Sequence, residues 1–235
     1  MLVLGLDTTT RTGSCALARD GVVLLERASD ATRPQASRLP GELMALLDQE
    51  AVALRDIDVF AVATGPGSFT GMRVGIATMQ GLAFAAGKPL SGVSALDALA
   101  VHGGERGIVA TWVDAWRGEV YAALYESGRE VEAPSVELPT RILGRFGGPD
   151  EEEVGRHDRI VFIGDGAEAH AATIRDALGD RAVIAEPTAP LLAGTIATLA
   201  TNAALAGHMP PPHAIRPLYV RRTDAELARD ARTGS

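Results

Sequence analysis

The chain has 235 residues, 46% hydrophobic and 22% charged, which is the composition of a globular protein of one large domain or two small lobes. Its formal net charge of −8 and its 4% of aromatic residues argue against a free-standing nucleic-acid-binding module, which needs clustered positive charge and stacking rings. Cys15 is the only cysteine, so the sequence excludes a disulfide framework and a cysteine zinc site. With neither a signal-peptide pattern nor an apolar run long enough to span a bilayer, we expect a cytoplasmic protein without a membrane segment.

The first half of the chain predicts a three-stranded meander followed by a buried strand. An apolar strand at 2–6 is followed by a polar turn and a second strand at 14–18. A third strand at 22–25 comes directly after Asp20-Gly21, a dipeptide typical of tight hairpins. Further along, the continuous apolar run at 59–63 is the pattern of a strand buried on both faces of a sheet.

The second half repeats this layout. An apolar run at 108–113 predicts a strand, which a turn connects to a second strand at 119–125. The segment 159–166 corresponds to 58–65 of the first half. Helical sequence follows each of these two segments. The repetition predicts an α/β protein of two lobes, each a mixed sheet flanked by helices. The boundaries that we assign are an N-terminal lobe of 1–102 completed by a C-terminal helix at about 190–207, a C-terminal lobe of 103–189, and a C-terminal segment and tail of 208–235.

A glycine-rich stretch at 64–75 joins a buried strand to a helix, and either Ser68 or Thr70 can cap the first helical turn. Such a turn at the carboxyl end of a strand is where α/β proteins bind anions. The stretch lacks the lysine of a P-loop, and its glycines are spaced one residue too far apart for the dinucleotide fingerprint. Two alternatives stay open: a phosphate cradle that includes Gly65, Gly67 and Ser68, or glycines that only let strand and helix pack closely.

Two predicted helices carry apolar residues at helical spacing. The first, at 35–51, has a leucine stripe, and the second, at 69–86, is apolar nearly all round. A helix apolar on all sides must be buried on all sides, so one face could pack on the sheet and the other on a second protein. The alternative is complete burial within the monomer. We predict a partner or dimer interface formed by Leu39, Leu43, Leu46, Leu47, Met72, Ile76, Met79 and Ala83.

Motifs at five places, along nearly the whole chain, together resemble the bacterial TsaB family. They are Leu6-Asp7-Thr8-Thr9, the stretch 64–75, Gly92-Val93-Ser94-Ala95-Leu96, and the segments 114–121 and 217–222. The resemblance implies the duplicated actin-like, sugar-kinase and heat-shock ATPase (ASKHA) fold. It also implies a subunit that works with the paralogue TsaD and the ATPase TsaE, an assembly that transfers a threonylcarbamoyl group to the adenosine next to the anticodon of tRNA.

The resemblance also bears on catalysis. The catalytic paralogue holds a metal with two histidines one helical turn apart, and the matching positions here are Ala95 and Leu99, which cannot ligate. We therefore expect a non-catalytic scaffold without a metal, which binds and activates TsaD, forms a homodimer when alone and meets tRNA only through the complex. Arg221 and Arg222 could contact tRNA phosphates or pair with acidic neighbours. An ATP-dependent phosphotransferase or a glycoprotease-like peptidase of the same fold is the alternative function.

We expect no tightly bound cofactor, with ATP or ADP bound, if at all, at the interface of the complex. In the fold that the resemblance implies, the acid after the first strand holds a metal–nucleotide, and Asp7 stands at that position. An aspartate at a strand end is also favoured by hydrogen bonds to its own turn, so that alternative stays open. The candidate nucleotide or phosphate ligands are Asp7, Thr8, Gly65, Gly67, Ser68, Gly164 and Gly166.

Overall fold

Two five-stranded sheets, with α-helices on their faces, organise the protein. The computed structural model describes residues 1–10, 12–30, 35–104, 106–146 and 159–221, without the side chains at positions 35 and 36. The sheets contain both parallel and antiparallel pairs. The predicted α/β architecture of two mixed-sheet lobes is confirmed.

The first sheet has five strands in the order β3-β2-β1-β4-β5. Its strands are β1 (Leu2–Asp7), β2 (Ser14–Arg19), β3 (Val22–Ala28), β4 (Val59–Gly65) and β5 (Leu90–Ser94), and the helices of this part of the chain are α1 (Gln35–Gln49), α2 (Phe69–Ala86) and α3 (Ala95–Gly103). The first three strands pair antiparallel, whereas β4 and β5 run parallel to β1. Asp20 and Gly21 both have positive φ, +51° and +80°, as the predicted hairpin requires.

The second sheet repeats the first in space. Its strands are β6 (Ile108–Asp114), β7 (Val120–Glu126), β8 (Arg129–Glu137), β9 (Ile160–Ile163) and β10 (Ala182–Ile184), and its part of the chain also forms α4 (Pro139–Arg145), α5 (Asp165–Ala169), α6 (Ala171–Leu178) and α7 (Ala193–Leu205). The order β8-β7-β6-β9-β10 matches that of the first sheet, with an antiparallel meander followed by two parallel strands. The repeat in the sequence is therefore a repeat of topology.

Apolar side chains form three layers, one between the sheets and one outside each sheet. Helices α3 and α7 lie in the central layer, where α7 packs on β1, β2 and β4 of the first sheet. A Cβ at Gly5 of β1 would lie 2.4 Å from the Ala193 carbonyl oxygen, so the crossing of α7 requires glycine there. Ser14 accepts hydrogen bonds from the amides of Leu192 and Ala193, at 3.2 and 3.0 Å, and thereby ties the start of α7 to β2.

The eight predicted interface side chains are buried within the protein itself. Their exposed fractions are no more than 4%. All but Met72 belong to the outer apolar layer under α1 and α2; the set is Leu39, Leu43, Leu46, Leu47, Met72, Ile76, Met79 and Ala83. The choice of these residues was therefore wrong, because a side chain that fills the core has no surface to offer a partner. That α1 and α2 make a contact stays a prediction, which must rest on their exposed sides.

Helix α2 begins and ends where the sequence predicts. Ser68 accepts a hydrogen bond from the Gly71 amide at 3.1 Å and caps the first turn, and Gly87, with φ +65°, ends the helix. The helix is not buried all round, since Phe84 is 83% exposed. In the part of the chain that the structure describes, no helix is long and apolar enough to cross a membrane.

Candidate functional site between the lobes

The glycine-rich stretch packs α2 against the turn after β1. The Ser68 amide donates to the Thr9 carbonyl at 2.9 Å, and the Thr8 hydroxyl donates to the Gly71 carbonyl at 2.8 Å. A Cβ at Gly71 would lie 2.0 Å from the Thr8 carbonyl oxygen, and one at Gly75 2.1 Å from the Thr8 hydroxyl. Close packing, one of the two alternatives left open by the sequence, therefore accounts for these glycines.

The same contacts limit phosphate binding at the start of α2. Gly65 and Gly67 have φ of +105° and +155°, and a Cβ at Gly67 would lie 2.5 Å from the Thr9 carbonyl oxygen. The amides of Ser68 and Gly71 already donate within the protein, to the Thr9 carbonyl and the Ser68 hydroxyl. Two of the helix-start amides that would hold an anion are thus occupied by the chain itself.

Asp7 is fully buried and hydrogen-bonded to its own turn. Its carboxylate accepts from the Thr9 amide at 2.8 Å, from the Thr9 hydroxyl at 2.6 Å and from the Thr10 hydroxyl. Three donors from the adjacent residues satisfy a carboxylate that would otherwise be costly to bury. Asp7 does not line the cleft described below.

A cleft of about 720 Å³ separates the lobes at the carboxyl ends of their central strands. Thr9, Thr10 and Ser68 line it from the first lobe; Asp114, Trp116, Asp165, Glu168 and Ala169 line it from the second. Three of these side chains are carboxylates and none is basic, so the lining would repel the phosphates of a nucleotide unless a cation or a partner compensates. Among the residues that the structure describes, no group of three histidine, cysteine or acidic side chains is placed to hold a metal.

The carboxylates of the cleft are partly held by backbone amides. Asp165 accepts from the Asp114 amide at 2.9 Å, and Asp114 accepts from the Trp116 amide at 2.9 Å. Burial raises the pKa of Asp165 above its ordinary value, and the neighbouring charge of Asp114 acts in the same direction. The predicted ligands Gly164 and Gly166 lie under this part of the cleft, where a Cβ would meet the backbone of Trp112 or Val113 at 2.0 and 2.9 Å.

A second pocket, beside the cleft, was not predicted from the sequence. It has a volume of about 320 Å³ and is lined by the start of α2, the β6–β7 turn and the C-terminal segment. Three exposed rings border it: Phe69, Trp116 and Tyr219, with Phe69 and Tyr219 stacked at 5.5 Å. Arg73 lies 5.2 Å from the centre of the Phe69 ring. The sequence signal for this pocket was the aromatic residue in the segment 217–222, Tyr219. Spacing along the chain could not show that this residue lies against Phe69.

The exposed sides of α1 and α2 form a surface that we call the α1–α2 face. The two helices pack on each other over the outer layer of the first lobe. Small or apolar residues are exposed on both helices: Gly41, Met44 and Ala45 on α1, and Ala77, Gly81, Phe84 and Ala85 on α2. Exposed polar residues lie beside them: Ser37, Asp48 and Gln49 on α1, and Thr70 and Arg73 on α2.

Solved structures share the fold. Component A of (R)-2-hydroxyglutaryl-CoA dehydratase from Acidaminococcus fermentans matches 87% of this chain and 99% of its own, with a TM-score of 0.54 at 11% identity, which shows the fold alone. YeaZ from Pseudomonas aeruginosa matches 93% of this chain and 99% of its own, with a TM-score of 0.72 at 30% identity.

Two lobes of the same topology around a central cleft give this protein the duplicated actin-like and sugar-kinase fold that the motifs predicted. TsaB of Bacillus subtilis, a tRNA threonylcarbamoyladenosine biosynthesis protein, is 31% identical over 186 residues, which are 78% of this chain and 80% of that protein. The family model of TsaD, tRNA N6-adenosine threonylcarbamoyltransferase, matches residues 27–229. The chain belongs to the TsaB family, as the motifs predicted, and this family acts in the biosynthesis of threonylcarbamoyladenosine in tRNA.

Proposed function

We propose that this protein is a non-catalytic scaffold subunit that binds and activates TsaD in the cytoplasm. Together with TsaE, the complex would transfer threonylcarbamoyl to the adenosine next to the anticodon of tRNA. The observation that carries the proposal is the exposed apolar α1–α2 face, on a chain whose family acts in this biosynthesis. Contiguous apolar surface on a folded chain marks a protein contact.

The composition of the α1–α2 face suits helix packing. Ala45, Ala77 and Gly81 are small enough to let the helices of a partner approach closely, while Met44 and Phe84 supply exposed apolar area. Two helices from each partner would then make a four-helix contact. In the absence of TsaD, a second copy could use the same face, which gives an isologous homodimer.

The cleft supports a scaffold role rather than independent catalysis. The Thr9 and Thr10 hydroxyls of its lining donate to the buried carboxylate of Asp7, and among the described residues no histidine or other basic side chain lines the cleft. Ala95 and Leu99, at the positions of the paralogue's metal-binding histidines, are buried in the central layer. We propose that ATP or ADP binds, if at all, where a partner in the complex supplies positive charge. With a net charge of −8, the chain would reach tRNA only through that complex.

The α1–α2 face is tested by co-purification of TsaD with Ala77→Arg. A charge without a partner in a desolvated contact should weaken binding at least about tenfold. Because Ala77 is exposed, the variant should fold and melt like the wild type. The matched control is Leu205→Arg, at an apolar position that is 74% exposed on α7. Equal co-purification of TsaD with both variants would contradict the proposal.

The non-catalytic assignment has its own test. Purified protein without TsaD should hydrolyse neither ATP nor peptides above the rate of a buffer blank. Hydrolysis that disappears in Asp165→Asn, a change in the cleft, would instead favour the phosphotransferase or peptidase alternative.

A further inference from the structure

The C-terminal segment after α7 is fixed to the first lobe at several points. The Gln80 side-chain amide, on α2, donates to the carbonyls of Pro212 and Ile215 at 2.9 and 3.1 Å. The Ile215 side chain is buried in the outer apolar layer of this lobe. Beyond it, the Leu218 amide donates at 2.8 Å to the carbonyl of Thr64, on β4. We call residues 212–221 the C-terminal strap.

The end of the strap is fixed to the second lobe. The guanidinium group of Arg221 donates to the Ala115 carbonyl at 2.9 Å and forms an ion pair with Glu119. It also lies 5.8 Å from the centre of the Tyr121 ring, on β7. The sequence left open whether Arg221 pairs with acidic neighbours or contacts tRNA; its observed partner, Glu119, is 102 residues away. Arg222 lies outside the described residues.

The turn that Arg221 holds forms one wall of the cleft. Its residues Trp116, Arg117 and Gly118 have successive φ values of +56°, +58° and +77°. Consecutive left-handed residues other than glycine are uncommon and persist when their surroundings hold them. The Trp116 side chain lines both the cleft and the neighbouring aromatic pocket. A contact at Ala115 and Glu119 therefore bears directly on the shape of the cleft.

We infer that the C-terminal strap is a latch between the lobes that controls the width of the cleft. Arg221 is the end of the latch that can be released. The contacts with the first lobe are backbone carbonyls, a backbone amide and a buried side chain. In the part of the strap that the structure describes, the hydrogen bonds to the second lobe come from the Arg221 side chain, and Val220 packs on the central apolar layer. Arg221 and Glu119 are 24% and 33% exposed, so their ion pair opens at modest cost. The inference concerns this chain alone and does not depend on TsaD.

Release of the latch should open the cleft rather than separate the lobes. The central apolar layer, with α3 and α7, would still join the two sheets. The Tyr125 hydroxyl on β7 also donates to Asp97 on α3 at 2.6 Å, away from the strap. The expected motion is therefore a small rotation of one lobe against the other, of the hinge type.

The latch is tested by the distance between nitroxide labels on Thr70→Cys and Ala169→Cys, measured by double electron–electron resonance in the full-length protein. Both positions are exposed, on helices that lie on opposite sides of the cleft. Burial raises the pKa of the Cys15 thiol to about 11, so the native cysteine should not take up label. In Arg221→Ala, the population at longer distance should rise about fivefold, the factor that corresponds to ~1 kcal/mol for a partly exposed ion pair.

The matched control is Arg216→Ala, which removes an arginine of the same strap whose guanidinium group bonds the carbonyls of His213 and Ile215. Its distance distribution should equal that of the unmutated labelled protein. Glu119→Ala opens the same pair from the second lobe and should reproduce the Arg221→Ala result, which keeps the test valid if that variant does not fold. An unchanged distribution in the folded Arg221 and Glu119 variants would overturn the inference, as would equal broadening in Arg216→Ala.

Discussion

The cleft between the lobes and the α1–α2 face differ in what they offer a ligand. Beside the cleft, Asp7 is hydrogen-bonded to Thr9, and the start of α2 is hydrogen-bonded to Thr8 and Thr9. The charged side chains that line the cleft are acidic. The α1–α2 face is exposed and centred on small and apolar residues, with polar side chains such as Asp48 and Arg73 also exposed on its helices. The comparison teaches that a fold can keep a cleft between its lobes while its exposed apolar surface lies elsewhere.

Helix α2 takes part in both regions. Its first turn packs on Thr8 through Gly71 and Gly75, and its inner side, with Met79, fills the outer layer. Its outer side, with Ala77 and Phe84, is exposed. Substitutions along this one helix can therefore separate effects on folding from effects on binding.

The largest effect is expected for Met79→Asp. Met79 is 0% exposed, so the substitution places a carboxylate in an apolar layer and should cost more than about 3 kcal/mol of unfolding free energy. Ala77→Asp, on the outer side of the same helix, should cost less than about 1 kcal/mol, chiefly through helix propensity. Urea denaturation followed by circular dichroism measures both. Equal losses would show that α2 has no distinct outer side.

A smaller effect is expected for Gly71→Ala. The new Cβ would lie 2.0 Å from the Thr8 carbonyl oxygen, and the backbone must move to admit it, at a cost of about 1–3 kcal/mol. Gly81→Ala, where a Cβ meets nothing within 4 Å, should raise stability by up to about 1 kcal/mol. Thermal melting compares the pair. If Gly71→Ala melts like the wild type, the packing explanation of the glycine-rich stretch fails.

The smallest effect is expected for Asp165→Asn, and it should depend on pH. Burial raises the pKa of Asp165 in the folded state above its ordinary value of 3.8, so protonation stabilises the fold, and this stabilisation is lost as pH rises through the folded-state pKa. The asparagine variant is neutral throughout, so its stability relative to the wild type should increase from acidic to neutral pH. Glu168→Gln, at the exposed rim of the cleft, is the control. A gain that falls with rising pH would contradict this account.

Local patterns made much of the fold predictable from the sequence. The apolar runs, the Asp20-Gly21 hairpin and the Ser68 cap depend on neighbouring residues, and the internal repeat showed that two lobes share one topology. The outer side of α2 was not predictable in this way, because alanine and glycine are compatible with both core and surface. Nor was the latch, because Arg221 and Glu119 meet only when both lobes are folded.

The site was predictable to a lesser degree. Of the predicted nucleotide or phosphate ligands, Ser68 lines the cleft, whereas Asp7 is buried behind it. The sequence left open whether the polar groups of these residues face a ligand or the protein. Whether these groups face a ligand or the protein depends on how closely α2 approaches the turn after β1. The spacing of residues in the sequence does not determine that distance. In the structure, the hydrogen bonds of Thr8 and Thr9 engage these polar groups within the protein.

The most direct test of the scaffold proposal is amide hydrogen exchange of this protein alone and in complex with TsaD. The account predicts slower exchange in peptides from α1 and α2, with cleft peptides at 114–118 and 165–169 unchanged by TsaD in the absence of nucleotide. Slower exchange confined to the cleft peptides, with α1 and α2 unaffected, would contradict the assignment of the binding surface to the α1–α2 face.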